Sequence, residues 1–378
     1  MSVHYTEEQL MLKDVIREFT ENEVRDRDAL MDTNGFDYET AAKMAECGLM
    51  GINVPEEFGG GACDDLSMAI AAREVARGSA SAAFTLEAHW IAVEMIMERG
   101  TEAQKLRYLP EAAKGEIFAF GLTESCAGSD AAGIRSVLSP DGEGGWILNG
   151  SKSWITNSGV ASYYIIMAKT DPNAGSKGIS AVIVPKDAPG LSVGKFEDKM
   201  GMRGSATCEI CFDNIRLPGD AMLGKPGDGF KMAMKALDGG RISIAAIALG
   251  LSEHAFALAK DYVNKRVAFG KTVSSFEGIQ FAFADMSVRL KAMELLTFDA
   301  ARAKASGQRC TVEAAAAKLY ASESATQICL KCIQMFGGNG YSREYDVERL
   351  ARDAKLLEIA DGTSEILRMV LGAASLKS

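Results

Sequence analysis

Leu356-Leu357-Glu358-Ile359-Ala360-Asp361-Gly362-Thr363-Ser364-Glu365-Ile366-Leu367-Arg368 is the stretch on which the reading of this chain turns. A helix-like run of apolar and charged residues reaches Asp361 and breaks at Gly362. It restarts on Thr363 and Ser364, whose hydroxyls favour helix N-caps. Such a break frees backbone N–H groups at the positive end of a helix dipole, which suits an anionic ligand. It also presents Asp361 from a rigid corner, as a catalytic carboxylate requires. Read alone, the same residues make an ordinary helix–turn–helix with a solvated Asp, so the surrounding chain has to decide.

Around this stretch the texture is helical from Gly229 onward. Ala/Leu/Ile/Met-rich segments cover 231–269, 276–306, 311–336 and 346–372, long and apolar enough for a four-helix bundle. Upstream, from about Phe118, short β-type runs alternate with turns: Trp146–Gly150, Tyr163–Ala168, Ile179–Val184 and Cys208–Phe212. That spacing belongs to a small barrel or sandwich. From Tyr5 to about Lys114 apolar residues again recur every three or four positions, interrupted by the Pro/Gly loop Val54–Gly61. The expected fold class is mainly α with a central β-barrel domain. The expected divisions are an N-terminal helical domain over 1–118, a middle β-barrel domain over 119–228 and a C-terminal helical bundle over 229–378.

A chain of 378 residues, 47% hydrophobic, has material for two or three cores. Its net charge of −10 argues against nucleic acid as a partner. The longest apolar run, Ile242 to Leu251, is too short to span a bilayer, so no membrane span is expected. The polar, acidic start Met1–Glu8 has the layout of neither a secretion signal nor a transit peptide. A cytoplasmic protein with reduced thiols is the expectation. Cys208/Cys211 and Cys329/Cys332 are Cys-x-x-Cys pairs, but they lie much further apart than the roughly 15–20 residues of a zinc ribbon. The first pair, on a strand, would point to opposite faces. No metal site is expected. Gly-x-Gly-x-x-Gly and Gly-x-Ser-x-Gly are both missing, and Gly270-Lys271-Thr272 fails as a P-loop because position 265 is Lys.

Two segments have the chemistry of a flavin site. Leu122-Thr123-Glu124-Ser125-Cys126-Ala127-Gly128-Ser129-Asp130 combines small residues, hydroxyls and glycine, which bring backbone N–H groups against a phosphate or a flavin edge. In Lys152-Ser153-Trp154-Ile155-Thr156-Asn157 a strand would place Trp154 and Thr156 on one side, the ring covering a flat cofactor and the hydroxyl bonding to it. A turn and a buried core Trp are the plain alternatives.

Five segments in order resemble the acyl-CoA dehydrogenase family. They are Leu122–Asp130, Trp154–Thr156, Leu237-Asp238-Gly239-Gly240-Arg241, Arg266–Lys271 with Gln334–Tyr341, and Asp361–Glu365, and the likeness extends from about Thr6 to Leu371. The resemblance implies an N-terminal helical domain, a middle β-barrel and a C-terminal four-helix bundle, assembled as a homotetramer (a dimer of dimers). It implies FAD, held by Leu122, Thr123, Gly128 and Ser129, with Trp154 and Thr156 beside the isoalloxazine. Arg266, Phe269, Gln334 and Gly338 would reach the partner subunit's FAD, and Thr363 and Glu365 would close on the cofactor. Asp238, Arg241, Ser129 and Gly362 match positions at the CoA thioester substrate. An electron-transfer flavoprotein is the implied electron acceptor.

The chain departs from the family at its base. Many relatives place a glutamate, after a tyrosine, before the Gly-Thr pair, where this chain has Ala360-Asp361. Others place the base just before the Arg of the Asp-x-x-Arg segment, where this chain has Gly240. Asp361 is therefore the expected base. Its shorter side chain withdraws the carboxylate by roughly 1–1.5 Å. With the space expected beside Ala360, and Trp90 limiting the tail, this leads to a short branched or alicyclic acyl-CoA. The best candidate is cyclohexane-1-carboxyl-CoA, oxidised to cyclohex-1-ene-1-carboxyl-CoA. A straight short-chain acyl-CoA dehydrogenase, a flavin oxidase or nitroalkane-oxidising relative, and an FAD-binding scaffold without activity are the alternatives. Trp90 as core filler and His89 as a satisfied core histidine are the readings set against roles in the site.

Overall fold

Local sequence starts most of the early helices. In the computed structural model, which describes residues 5–377, α1 (Glu7–Phe19) opens on a capping box in which Thr6 and Gln9 each accept the other's backbone N–H. The short helices α2 (Asp28–Asn34) and α3 (Tyr38–Glu46) follow. Asp64 caps α4 (Asp65–Ala76), Ser79 caps α5 (Ala80–Arg99), and a second Thr/Gln box at Thr101 and Gln104 opens α6 (Glu102–Lys114). Every residue of α5 from Ala80 to Val93 is buried, including Glu87 and His89. A helix apolar on all sides has to be wrapped by others.

The expected β-region begins at β1 (Phe118–Gly121) and continues through β2 (Val137–Pro140), β3 (Trp146–Thr156), β4 (Tyr163–Lys169), β5 (Ile179–Pro185), β6 (Leu191–Val193), β7 (Thr207–Leu217) and β8 (Met222–Leu223). The hydrogen-bonded order is β6-β7-β3-β2-β4-β5-β8, with β1 parallel to β4. Two halves, β6-β7-β3-β2 and β1-β4-β5-β8, meet where Val137 pairs with Lys169. β4 and β5 are buried almost throughout, whereas β7 alternates inward and outward residues. That alternation buries Cys208 and exposes Cys211, so the first Cys-x-x-Cys pair does face opposite ways.

The chain turns helical again at α7 (Gly229–Lys265), buried without interruption from Gly240 to Ser252. By length and composition α7 is apolar enough to cross a membrane, but 78% of that window is buried inside the protein. A hairpin of β9 (Val267–Ala268) and β10 (Lys271–Thr272) leads to α8 (Glu277–Ala305), α9 (Thr311–Phe336), α10 (Val347–Leu356) and α11 (Ser364–Ser375). The α10 helix moors the parts together. Arg349 binds Asp28 at 2.7 Å, Arg352 binds both Asp32 oxygens at 2.8 Å, and Asp353 accepts the Met202 N–H at 2.5 Å.

Candidate active site

Helix α10 stops at Leu356, whereas the helical run was expected to reach Asp361 and break at Gly362. Leu357–Asp361 continue as turns, with Ile359 and Ala360 donating to the Leu356 carbonyl. The reversal falls at Asp361 (φ 53°) and Gly362 (φ 105°). Asp tolerates left-handed backbone better than most residues, and Gly adopts it freely. Thr363 is the N-cap of α11, its hydroxyl accepting the Ile366 N–H. Two buried cations hold the corner from outside: Arg241 Nε donates to the Asp361 carbonyl at 3.2 Å, and Lys318 Nζ to the Gly362 carbonyl at 2.7 Å. Burial lowers Lys318 to about 8, against the pull of the Asp361 charge. Inside the corner, Asp361 Oδ2 is buried with no donor. The Asp361 N–H also donates to nothing among the described residues.

The carboxylate faces α7 and α5 at Gly240. A Cβ on Gly240 would lie 2.5 Å from Asp361 Oδ2, 2.6 Å from Ile91 Cδ1 and 2.8 Å from Glu87 Oε1. Only a residue without a side chain leaves that space. Glu87 is 2% exposed, and its Oε1 has no donor. Burial, then the negative charge of Asp361, raise the Glu87 carboxyl well above the usual range. Beside this point lies a cavity of about 10 Å³, room for one water, lined by Glu87, Trp90, Ile91, Glu94, Gly240 and Lys304 among others. Lys304 bridges Asp65 and Glu94 at 2.6 and 2.7 Å. Trp90 borders the cavity yet is fixed in the core, its Nε1 donating to the Leu49 carbonyl at 2.9 Å. His89 is a satisfied core residue. Nδ1 accepts the Phe118 N–H, so Nε2 carries the proton donated to the Met50 carbonyl, and burial lowers its pKa to about 4.

Asp238, one turn before Arg241, accepts from Arg241 Nη1 at 2.9 Å and from the Thr311 hydroxyl at 2.7 Å. Arg241 is 6% exposed and spends two of its nitrogens on Asp238 and the Asp361 corner. It holds the Asp361–Gly362 corner from the side of α7.

The two flavin-like segments are knit together. Ser153 N–H donates to the Thr123 carbonyl at 2.9 Å, and buried Lys152 donates to the Leu122 carbonyl at 3.0 Å and to Glu124 at 2.7 Å. Glu124 in turn accepts the Ser136 N–H and hydroxyl. A bulge in β3 between Lys152 and Ile155 turns Trp154 out, with φ 61° and 62% exposure, which disposes of the buried-core reading. Ile155 is buried between Trp154 and the half-buried Thr156. A non-glycine residue in left-handed backbone costs about 1–3 kcal/mol, and such strain gathers at functional sites. Gly128 and Ser129 are exposed, and their N–H groups donate to nothing among the described residues. An exposed ring platform beside free amides fits a flat cofactor that carries phosphates. Arg266, Phe269, Gln334 and Gly338 are all exposed, and no hydrogen bond among the described residues joins them to either segment. Phe269 is 95% exposed with φ 53°.

Models of the N-terminal, middle and C-terminal domains of acyl-CoA dehydrogenase match residues 6–116, 119–215 and 227–376. The chain belongs to the acyl-CoA dehydrogenase family. It is 44% identical, over 98% of both chains, to a short-chain specific acyl-CoA dehydrogenase of Clostridium acetobutylicum. The structure of butyryl-CoA dehydrogenase from Megasphaera elsdenii matches at 40% identity over all of both chains, with a TM-score of 0.97. A chain in the solved structure of the electron transferring flavoprotein of Acidaminococcus fermentans matches at 40% identity over all of both chains, with a TM-score of 0.98. This protein is accordingly an FAD-dependent acyl-CoA dehydrogenase with the family's helical, β and helical parts. Sequence reasoning did not single out Glu87, Lys318 or Thr311 at its site. Glu87 left a signal: a carboxylate in the apolar run Ala82–Val93 needs a partner if that run is buried.

Proposed function

We propose that this acyl-CoA dehydrogenase oxidises a short, straight acyl-CoA at its α,β bond, with Asp361 as general base. The observation that carries this is Asp361 Oδ2, buried and without a donor, beside Gly240 and a cavity of about 10 Å³. The thioester carbonyl accepts the free Asp361 N–H, and this acidifies the α-carbon. The Asp361 carboxylate takes the α-proton, while Arg241 and Lys318 fix the corner that aims it. FAD, when bound, supplies the redox chemistry by accepting the β-hydrogen as hydride. Leu122, Thr123, Gly128, Ser129, Trp154 and Thr156 would hold it, with Thr363 and Glu365 near its far end. Exposed Arg266, Phe269, Gln334 and Gly338 serve a partner subunit's cofactor in a homotetramer. Exposed apolar side chains such as Phe281 (60%) and Val288 (69%) accord with such an assembly. An electron-transfer flavoprotein as acceptor accords with the likeness to the chain from the Acidaminococcus structure.

The straight chain replaces the alicyclic substrate in our reading. Ala360 was expected to open room for a ring, but it packs against the core. Glu87 and Ile91 close on the space beside Asp361. Relatives that match over the whole length include a short-chain specific and a butyryl-CoA dehydrogenase. Anaerobic flavin bleaching with butyryl-, octanoyl-, isobutyryl- and cyclohexane-1-carboxyl-CoA tests this. Butyryl-CoA is expected to be fastest, by about tenfold or more in kcat/KM, a difference of about 1.4 kcal/mol in barrier. Asp361→Asn is expected to bind FAD and bleach with none of them. A faster ring substrate would restore the alicyclic reading, and bleaching by Asp361→Asn would remove Asp361 as the base.

A further inference from the structure

Resting on that assignment of Asp361, we propose that Glu87 is a positioning residue that forms one proton-holding unit with it: the Glu87 carboxyl, protonated in the free enzyme, donates to the Asp361 carboxylate across Gly240. Three observations meet here. Both Glu87 Oε1 and Asp361 Oδ2 are buried, and neither has a donor among the described residues. Both lie within 2.8 Å of the point where a Gly240 Cβ would stand, a position that any other residue would fill. Two carboxylates cannot both stay ionised so close together in a water-poor site, so one must keep a proton. The more buried of the two keeps it. Glu87 is 2% exposed, on a helix turned wholly inward, whereas Asp361 is partly open on a loop. The shared proton then serves as the missing donor for both orphan oxygens.

The charged neighbours agree with this division. On the Asp361 side, Arg241 and Lys318 bind the backbone carbonyls of Asp361 and Gly362, and Asp238 is neutralised by Arg241. On the Glu87 side, the cations of the cavity wall are spoken for: Lys304 lies between Asp65 and Glu94. No cation bonded to the Glu87 carboxyl occurs among the described residues, so nothing stabilises its ionised form. The unit carries one negative charge before reaction. When Asp361 takes the α-proton, its C–H bond electrons pass into the substrate and the unit becomes neutral with two protons, one on each carboxyl. A donor on Glu87 therefore does two things. It fixes the rotamer of a base that is one methylene short, and it keeps Asp361, not Glu87, as the anion.

Infrared difference spectroscopy and kinetics on the FAD-loaded enzyme test this. Glu87→Gln keeps the shape and an N–H donor, and it is expected to retain at least about a third of kcat. The wild type minus Glu87→Gln spectrum near pH 7 is expected to show a protonated-carboxyl C=O band that the variant lacks. Glu87→Leu removes the donor and is expected to lose about a hundredfold in kcat, with KM changed by less than about threefold and FAD still bound. Absence of the band overturns the proposal, as does a Glu87→Leu kcat within about twofold of wild type. If Glu87→Leu does not fold, the presence or absence of the band in the wild type minus Glu87→Gln spectrum decides by itself. These outcomes are separate from failure of the base assignment, which only turnover by Asp361→Asn would produce.

Discussion

Glycine at 240 looked, in the sequence, like an empty position where other branches of the family keep a base. In the structure it is occupied space. Its missing Cβ is what lets Asp361 and Glu87 both come up against α7 at one point. Gly240→Ala forces a methyl to within 2.5 Å of Asp361 Oδ2 and 2.6 Å of Ile91 Cδ1. Helix propensity alone would make this change favourable by about 1 kcal/mol. Overpacking in a filled core costs about 1–3 kcal/mol, so the steric effect wins. The expected result is a folded, yellow protein whose kcat for butyryl-CoA falls by about tenfold to a hundredfold, because the carboxylate is displaced. Stopped-flow bleaching with a parallel FAD titration checks it. Unchanged bleaching would mean that the carboxyls have room to spare.

Strand β3 and the 122–130 loop form one working element because Lys152 and Glu124 tie them. Lys152 is fully buried, and burial lowers its pKa to about 8 against the raising effect of Glu124. Removing one partner of such a pair strands a charge, at a cost of about 3–5 kcal/mol. Lys152→Met is therefore expected to lower Tm and to weaken FAD binding, because the Leu122 carbonyl loses its anchor. Calorimetry and FAD titration read both effects. The order helix, β, helix was legible from periodicity, and the Leu122–Asp130 and Lys152–Asn157 segments stood out by residue chemistry. The bulge that turns Trp154 outward was not, since a one-residue register shift is set by pairing with β7 rather than by local composition. The early end of α10 was hidden for a related reason: Leu357–Ala360 have helical composition, and Arg241 and Lys318, far away in the chain, fix where the turn falls. Glu87 and Asp361, 274 positions apart, meet only through the fold.

At the scale of the molecule, buried neutral histidine makes the enzyme sensitive to acid. The His89 pKa falls from 6.5 to about 4 on burial. Between those values the unfolded chain binds the proton and the native one refuses it, so stability rises with pH in that window. The contribution is fully present above about pH 6.5 and is lost as pH falls towards 4, amounting to about 3 kcal/mol. His254, lowered to about 3 by burial and by Arg25, acts in the same direction. Tm is expected to drop steeply over that range. His89→Gln, which keeps a donor for Met50 and an acceptor for the Phe118 N–H, is expected to flatten the drop. A parallel pH dependence in wild type and variant would place the acid sensitivity elsewhere.

The left-handed backbone at Asp361 also bears on descent. A φ of 53° suits Gly, Asn and Asp and penalises most other side chains. The substitutions the backbone accepts most readily, Asn and Gly, are those that remove the carboxylate we propose as the base. Glu would keep a carboxylate but strain the turn and crowd Glu87. A lineage carrying this corner thus stands one neutral-looking replacement away from a well-folded flavoprotein without dehydrogenase activity. It stands further from a glutamate enzyme, which the corner admits only after the backbone and Glu87 have both changed.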